Sequence, residues 1–273
     1  MEVFLCPACL LLLILAMILQ SAINLGYLPK KIISLVPSQT ELLAHFNLEA
    51  ETIGITKFCV HPQSWFKTKQ QVGGTKTIDL DKIKQLQPDL IIANKEENVK
   101  AQIELLAMHY PVWLTDVNNL QDALQMIEDI GVLTGKVVAA LDLIKQIKIN
   151  FDDVKSVIKP INTAYLIWRK PYMTVGGDTF INDMLLRCGF KNIFAAKTRY
   201  PAISIKDLPT AHCQLLLLSS EPYPFVQKHI DELQQQLPNT KIILVDGEMF
   251  SWYGSRLLKS AAYFNKLSAQ IQG

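Results

Sequence analysis

Near the C-terminus, the stretch from Asp246 to Arg256 (DGEMFSWYGSR) sets Glu248, Phe250, Trp252, Tyr253 and Arg256 close together. A solvated loop gains little from so much aromatic surface, and a core strand would not place a carboxylate, a guanidinium and two glycines among it. The composition is that of a wall that a ligand touches. Aromatic faces hold flat molecules, a carboxylate anchors polar edges or metal, and Arg256 suits a bound carboxylate or phosphate. Further polar candidates stand at loop tips: Lys57, His61, Glu96, Glu97, Asp178 and Glu221. His61 and Glu221 have the donor types that zinc, iron or manganese accept, although no HxH or HxxxH spacing accompanies them.

The elements that position these residues are read from the rest of the chain. Its 273 residues, 49% apolar and 19% charged, suffice for one large domain or two lobes with separate cores. A formal net charge of +2 gives no reason to expect a nucleic-acid partner. No charged residue occurs from Val3 to Pro29, so residues 1–28 are read as a signal or membrane anchor, or as a non-native extension from a misplaced start codon, outside the fold. Cys59, Cys188 and Cys213 remain, odd in number and without CxxC spacing among themselves, which fits small buried thiols.

From Lys30 on, strand and helix patterns alternate. IISLVP reads as a buried strand, SQTELLAHF as a helix opened by a Ser38–Glu41 capping box, then come TIGIT, the helix DLDKIKQL, the strand DLIIAN, a helix over about 98–109 and the strand VWLTDV. Apolar residues from Leu120 through Ile130, Leu141 and Ile147 to Ile158 then recur mostly three or four apart. This predicts one long helix over 118–159 that ends before Pro160, with Gly131 and Gly135 as bend points. Beyond it the alternation resumes, and VGGTKTIDL is echoed by VGGDTFINDML as in a degenerate duplication. The fold expected is α/β: two Rossmann-like lobes with mainly parallel sheets, over 30–117 and 160–273, joined by one long backbone helix. Ligands of such sheets bind outside the carboxyl ends of the strands, here in the inter-lobe cleft. The glycine pairs read as tight turns that turn backbone N–H groups toward that cleft.

KKIISLVPSQTELL, LDKIKQLQPDLIIAN and the long central helix resemble the substrate-binding proteins of ABC importers for vitamin B12 and iron chelates. TKFCVHP, VGGTK, PYMTVGGDTFINDML, SSEPYPF and DGEMFSWYGSRLL resemble a bacterial subgroup described as helical-backbone metal receptors. The resemblance runs from about Lys30 to the C-terminus. It implies two lobes on a backbone helix with a ligand held in the cleft and little hinge motion. By motif, Phe58, Thr75 and Asn94 fall at ligand positions of the first lobe, the last two where the B12 receptors carry tryptophan. Tyr200 falls where the family uses tryptophan, and Glu248 near a ligand-contacting aspartate. Trp252, Tyr253 and Arg256 complete the expected ligand set, and His61 and Glu221 are the candidate metal ligands. Asp81 and Asp207 correspond to the acidic pair that docks on the permease, each one methylene shorter than the family's glutamate.

The resemblance therefore implies a non-enzymatic, monomeric solute receptor without an intrinsic cofactor. Its ligand is a metal-containing small molecule, a cobalt corrinoid or an iron chelate such as haem, delivered to an ABC permease with ATPase subunits. Its expected location is the periplasm or the outer face of the inner membrane, or the cytoplasm if the N-terminal run is a start-site artefact. Two other readings stand beside it: a zinc or manganese receptor of similar fold, and an enzyme on a two-lobe scaffold. The second has no GxGxxG, GxxxxGK[ST] or nucleophile elbow in its support.

Overall fold

The structure, a computed structural model, describes residues 18–19 and 25–272. Strands β1 (Ile18–Leu19), β2 (Ile32–Ser34), β3 (Thr52–Ile55), β4 (Gln70–Gln71), β5 (Leu90–Asn94) and β6 (Val112–Thr115) form a sheet in the order β1-β6-β5-β2-β3-β4. Every pairing in it is parallel. Parallel neighbours require crossover connections, and the helices Pro37–His45, Gln63–Thr68, Leu80–Leu86 and Lys100–Ala107 lie in them. The central strands β2 and β5 are buried at every residue, as continuous apolar runs covered on both faces should be. Ile33, Ile91, Ala93 and Val112 of this sheet share a core with Ile83, Ile103 and Leu106 of the helices.

The second sheet contains β7 (Ile161–Trp168), β8 (Tyr172–Thr174), β9 (Phe190–Asn192), β10 (Ala202–Ile203), β11 (Leu215–Ser219) and β12 (Lys241–Val245). Its order is β10-β8-β7-β11-β12, with β9 also on β7. The β7, β9, β11 and β12 pairings are parallel, whereas β8 and β10 run antiparallel at one edge. Ala164, Leu166, Leu216 and Leu218 pack there with Leu208, Leu233 and Leu237. The helices Phe180–Arg187, Asp207–Thr210, Gln227–Gln234, Gly247–Ser251 and Leu257–Gln272 complete this part.

The chain divides into two units, each with one of these sheets. The first takes the residues up to Val117 with Asp122–Lys145 and Tyr253–Ser255, and the second takes Asn118–Gln121, Gln146–Trp252 and the stretch from Arg256.

Several local expectations are corrected. The single helix expected over 118–159 is two helices, Leu120–Leu133 and Val137–Asp152. Gly135 separates them at φ +69°, its N–H donating to Val132 O and that of Lys136 to Gly131 O, the hydrogen-bond pair of a Schellman stop. The helix beginning at Pro37 has Val36 at its N-cap and no side-chain cap, so the Ser38–Glu41 box is absent and Ser38 is buried within the first turn. Proline at the first helical position, where the N–H is dispensable, starts this helix instead.

The hydrophobic N-terminal run is not wholly outside the fold. Ile18 and Leu19 pair in parallel with Val112 and Trp113, while the remainder of residues 1–24 lies outside the described residues. Among the described residues no helix is long and apolar enough to cross a membrane. Three of the four N–H groups of the glycine-pair turns are spent within the fold rather than presented to a ligand. Gly74, Gly176 and Gly177 donate to the carbonyls of Thr77, Arg199 and Lys197. A Cβ at Gly176 or Gly177 would lie 2.4 or 2.2 Å from a backbone oxygen, so the turns need glycine for close approach.

Candidate ligand-binding site

In the second unit, β12 ends at Val245 and Asp246 caps a short helix, Gly247–Ser251, by accepting a hydrogen bond from Glu248 N at 3.1 Å. The first half of the Asp246–Arg256 stretch is therefore a helical turn. Gly247 allows it to press against the end of β11, because a Cβ there would meet Ser219 Oγ at 2.4 Å and Glu221 Cγ at 2.6 Å. The turn then brings Ser251 and Trp252 onto Glu221. Glu221 Oε1 accepts from Ser251 Oγ at 2.7 Å and from Trp252 Nε1 at 2.9 Å.

Burial pushes the Glu221 carboxyl above its ordinary range; the Ser251 hydrogen bond opposes this and the nearby Glu248 charge reinforces it. Glu248 in turn forms an ion pair with Arg256 at 3.0 Å, and the Arg256 guanidinium lies 5.0 Å from the centre of the Trp252 ring. Trp252, Tyr253 and Arg256 are each 6% exposed. Trp252 is thus held by its edge on Glu221 and by a face under Arg256, a prop for the turn. The ring face and the guanidinium expected to meet a ligand are thus engaged with each other and with Glu248.

Beside this network, Ser220, Glu221, Phe225, Leu244, Asp246 and Glu248 line a recess of about 540 Å³. It combines an apolar wall with three carboxylates and lies at the carboxyl ends of β11 and β12, where parallel sheets bind ligands. Ser220, Phe225 and Ser251 were not singled out in the sequence. A serine carries little compositional signal, and only the Asp-Gly step after an apolar strand marks the turn that places Ser251.

In the first unit, Phe58 follows β3 and is 51% exposed, with Lys57 Nζ 5.3 Å from its ring centre. Gly74 makes room for that ring, since a Cβ there would lie 3.1 Å from Phe58 Cε2. Thr75 is buried and its carbonyl accepts from Asn98 Nδ2 at 3.1 Å. Asn94 is 1% exposed. Its Oδ1 accepts from the backbone of Glu96 and Glu97, and its Nδ2 donates to Thr115 O and Oγ1. Asn94, expected at a ligand position, clamps the loop after β5, its side-chain polar atoms engaged inside the unit.

Tyr200 is half-buried, and its neighbour Arg199 donates its N–H to Asp178 Oδ1 at 2.6 Å. His61 is half-buried ahead of the helix Gln63–Thr68. Among the described residues no group of three or more His, Cys, Asp or Glu could hold a metal ion, so the structure gives His61 and Glu221 no ligand cluster to join. Asp81 and Asp207 are exposed, each in the first turn of its helix. Asp207 Oδ2 also accepts from Ser204 N at 3.1 Å. The three cysteines Cys59, Cys188 and Cys213 are free and buried, as expected.

Comparison with known proteins adds independent findings. Residues 32–242 match a family described as periplasmic binding protein. The chain is 29% identical over 182 residues to a Bacillus subtilis (strain 168) protein named as an uncharacterized ABC transporter substrate-binding lipoprotein, covering 62% of this chain and 57% of that relative. It is 23% identical over 250 residues to a vitamin B12-binding protein of Yersinia pestis (strain Pestoides F), covering 89% and 87%. Among solved structures, the periplasmic vitamin B12 binding protein BtuF of Vibrio cholerae superposes with a TM-score of 0.72 at 20% identity, covering 89% of this chain and 98% of that one. A periplasmic heme-binding protein, BhuT, in complex with two hemes gives 0.77 at 15% identity, covering 89% and 99%. These structural likenesses establish the fold.

Proposed function

The chain belongs to the periplasmic binding protein family, and on that premise we propose that it is the solute receptor of an ABC importer. Its ligand is a corrinoid or an iron chelate such as haem, carried without chemical change to a membrane permease driven by ATPase subunits. The observation that carries this reading is the family match spanning both sheets. The geometry agrees with it. Phe58 follows β3 in the first unit, and Glu221, Asp246 and Glu248 follow β11 and β12 in the second, all beyond the carboxyl ends of parallel strands. The mixed apolar and carboxylate recess of the second unit suits a partly polar ligand, and the exposed Phe58 ring of the first unit is a face of the kind that flat ligands use.

The receptor works as a monomer in the periplasm or anchored at the outer face of the inner membrane, and the metal arrives with the cargo. Asp81 and Asp207 are the charges that meet the permease. Titration with cobalamin, haem and ferric siderophores, followed by thermal melting, tests the assignment. One of the three should raise the melting temperature in a concentration-dependent way, and melts unchanged by all of them would overturn it.

A further inference from the structure

In the second unit, the loop between β11 and the helix Gln227–Gln234 carries two walls of the recess, Glu221 and Phe225. Phe225 is 4% exposed and sits in a ring cluster, its centre 4.8 Å from that of Tyr223 and 5.5 Å from that of His229. His229, the third residue of the helix, also lies 5.5 Å from Tyr223. It is 3% exposed and reaches the recess only through Phe225.

The imidazole also fastens the backbone of the loop. Its Nδ1 accepts from the Val226 N–H at 2.9 Å, and the Val226 carbonyl accepts from the His229 N–H at 2.8 Å. A side chain at the third helical position that accepts from the N-cap N–H does the work of the glutamate in a capping box. With Nδ1 accepting, the proton of the neutral ring is assigned to Nε2, which lies 3.3 Å from Tyr223 Oη and donates to it. A second proton has only Nδ1 to occupy. Two donors would then face each other, and either the ring or the Val226 backbone must move.

The surroundings resist that proton. Burial disfavours the imidazolium, the Arg169 and Lys228 charges add to this and Glu232 opposes it, so the His229 pKa lies below its ordinary value. Arg169 is itself paired with Glu232. The neutral ring therefore prevails at neutral pH, and its stabilising effect is lost as pH falls from the ordinary histidine range through the lowered value.

We propose that His229 is a positioning residue for the ligand recess: its neutral imidazole holds the Tyr223–Val226 turn and with it Phe225, and its protonation frees both and weakens binding. The second half rests on the recess being the ligand site proposed above. Acid is then a release signal built into the wall of the site.

The test uses the whole chain, with its five histidines, the Val226 amide and the phenylalanine rings followed by NMR from about pH 7.5 to about pH 4.5. Without ligand, the Val226 amide and the Phe225 ring should move together with the His229 imidazole, and resonances unmoved down to the lowest pH would overturn the proposal. His229→Gln keeps an acceptor for the Val226 N–H but cannot titrate. Cobalamin, haem and ferric siderophores are titrated into both proteins at each pH, and this comparison cancels the ionisation of Glu221. At neutral pH the affinities should agree within about twofold, whereas in acid wild type should bind about fivefold or more weaker than His229→Gln, the worth of one lost hydrogen bond. An equal fall in both proteins would overturn the proposal. If His229→Gln fails to fold, the ligand-free titration of wild type still decides it. If none of the three ligands binds, the ligand reading falls, and that same titration separately decides whether His229 holds Phe225.

Discussion

The guanidinium of Arg256 sits 5.0 Å from the centre of the Trp252 ring while it holds Glu248 at 3.0 Å. Arg256 thus closes a chain of contacts that runs through Trp252 Nε1 to Glu221. Removing one partner of a buried pair leaves the other charge uncompensated, at a cost of about 3–5 kcal/mol. Arg256→Ala should lose about 3 kcal/mol of stability in urea denaturation, since Glu248 keeps some solvent contact. A loss within about 0.5 kcal/mol would place Arg256 in a ligand-facing role instead.

Glu221 supplies a pH signature. Its folded-state pKa is raised, chiefly by burial, so ionisation costs more in the folded chain than in the unfolded one. Its contribution to stability is most favourable in acid and is lost as pH rises from the ordinary carboxylate range through the raised value. The stability of wild type relative to Glu221→Gln should therefore increase on acidification through that window. Paired denaturation curves across mildly acidic pH measure this, and a difference that moves in the opposite sense would show a lowered pKa.

Asn94 clamps the loop after β5. Asn94→Ala strands two backbone donors and the Thr115 carbonyl, and should lower stability by about 2–3 kcal/mol. Thermal denaturation reads the cost. An unchanged melting curve together with lost ligand affinity would return Asn94 to the contact set.

Phe58 behaves differently because half of it already meets solvent. Phe58→Ala should shift stability by no more than about 1 kcal/mol and weaken binding of the chelate by about tenfold, through loss of a stacking face. Calorimetry of the ligand that passes the melting test would decide between this and a packing role.

Asp81 and Asp207 are exposed, each in the first turn of its helix. Charge reversal of both, Asp81→Lys and Asp207→Lys, should leave chelate affinity unchanged and reduce binding to the reconstituted permease by about tenfold or more, with a weaker salt dependence. Equal permease binding by the double variant would remove them from docking.

What was legible in the sequence follows from local physics. β2, β5 and β11 stand out because a strand covered on both faces is apolar throughout, and all of their residues are buried. The helix break at Gly135 was less legible, because the apolar period continues on both sides of it and a glycine alone does not say whether a helix bends or stops. Only the backbone bonds of Gly135 and Lys136 to the preceding turn show the stop.

The amino-acid sequence by itself determined the α/β class, the mainly parallel sheets and the family, because periodicity and motif order are properties of the chain read along its length. Tertiary structure decided which of the chemistry-bearing residues face outward. Glu221 comes from a different part of the chain than Glu248, Trp252 and Arg256, and residue type alone cannot say that one carboxylate takes the indole N–H while another takes the guanidinium. Packing turned Trp252 inward, where its indole N–H meets Glu221, and Arg256 inward, where it pairs with Glu248, and it left Phe58 at the surface.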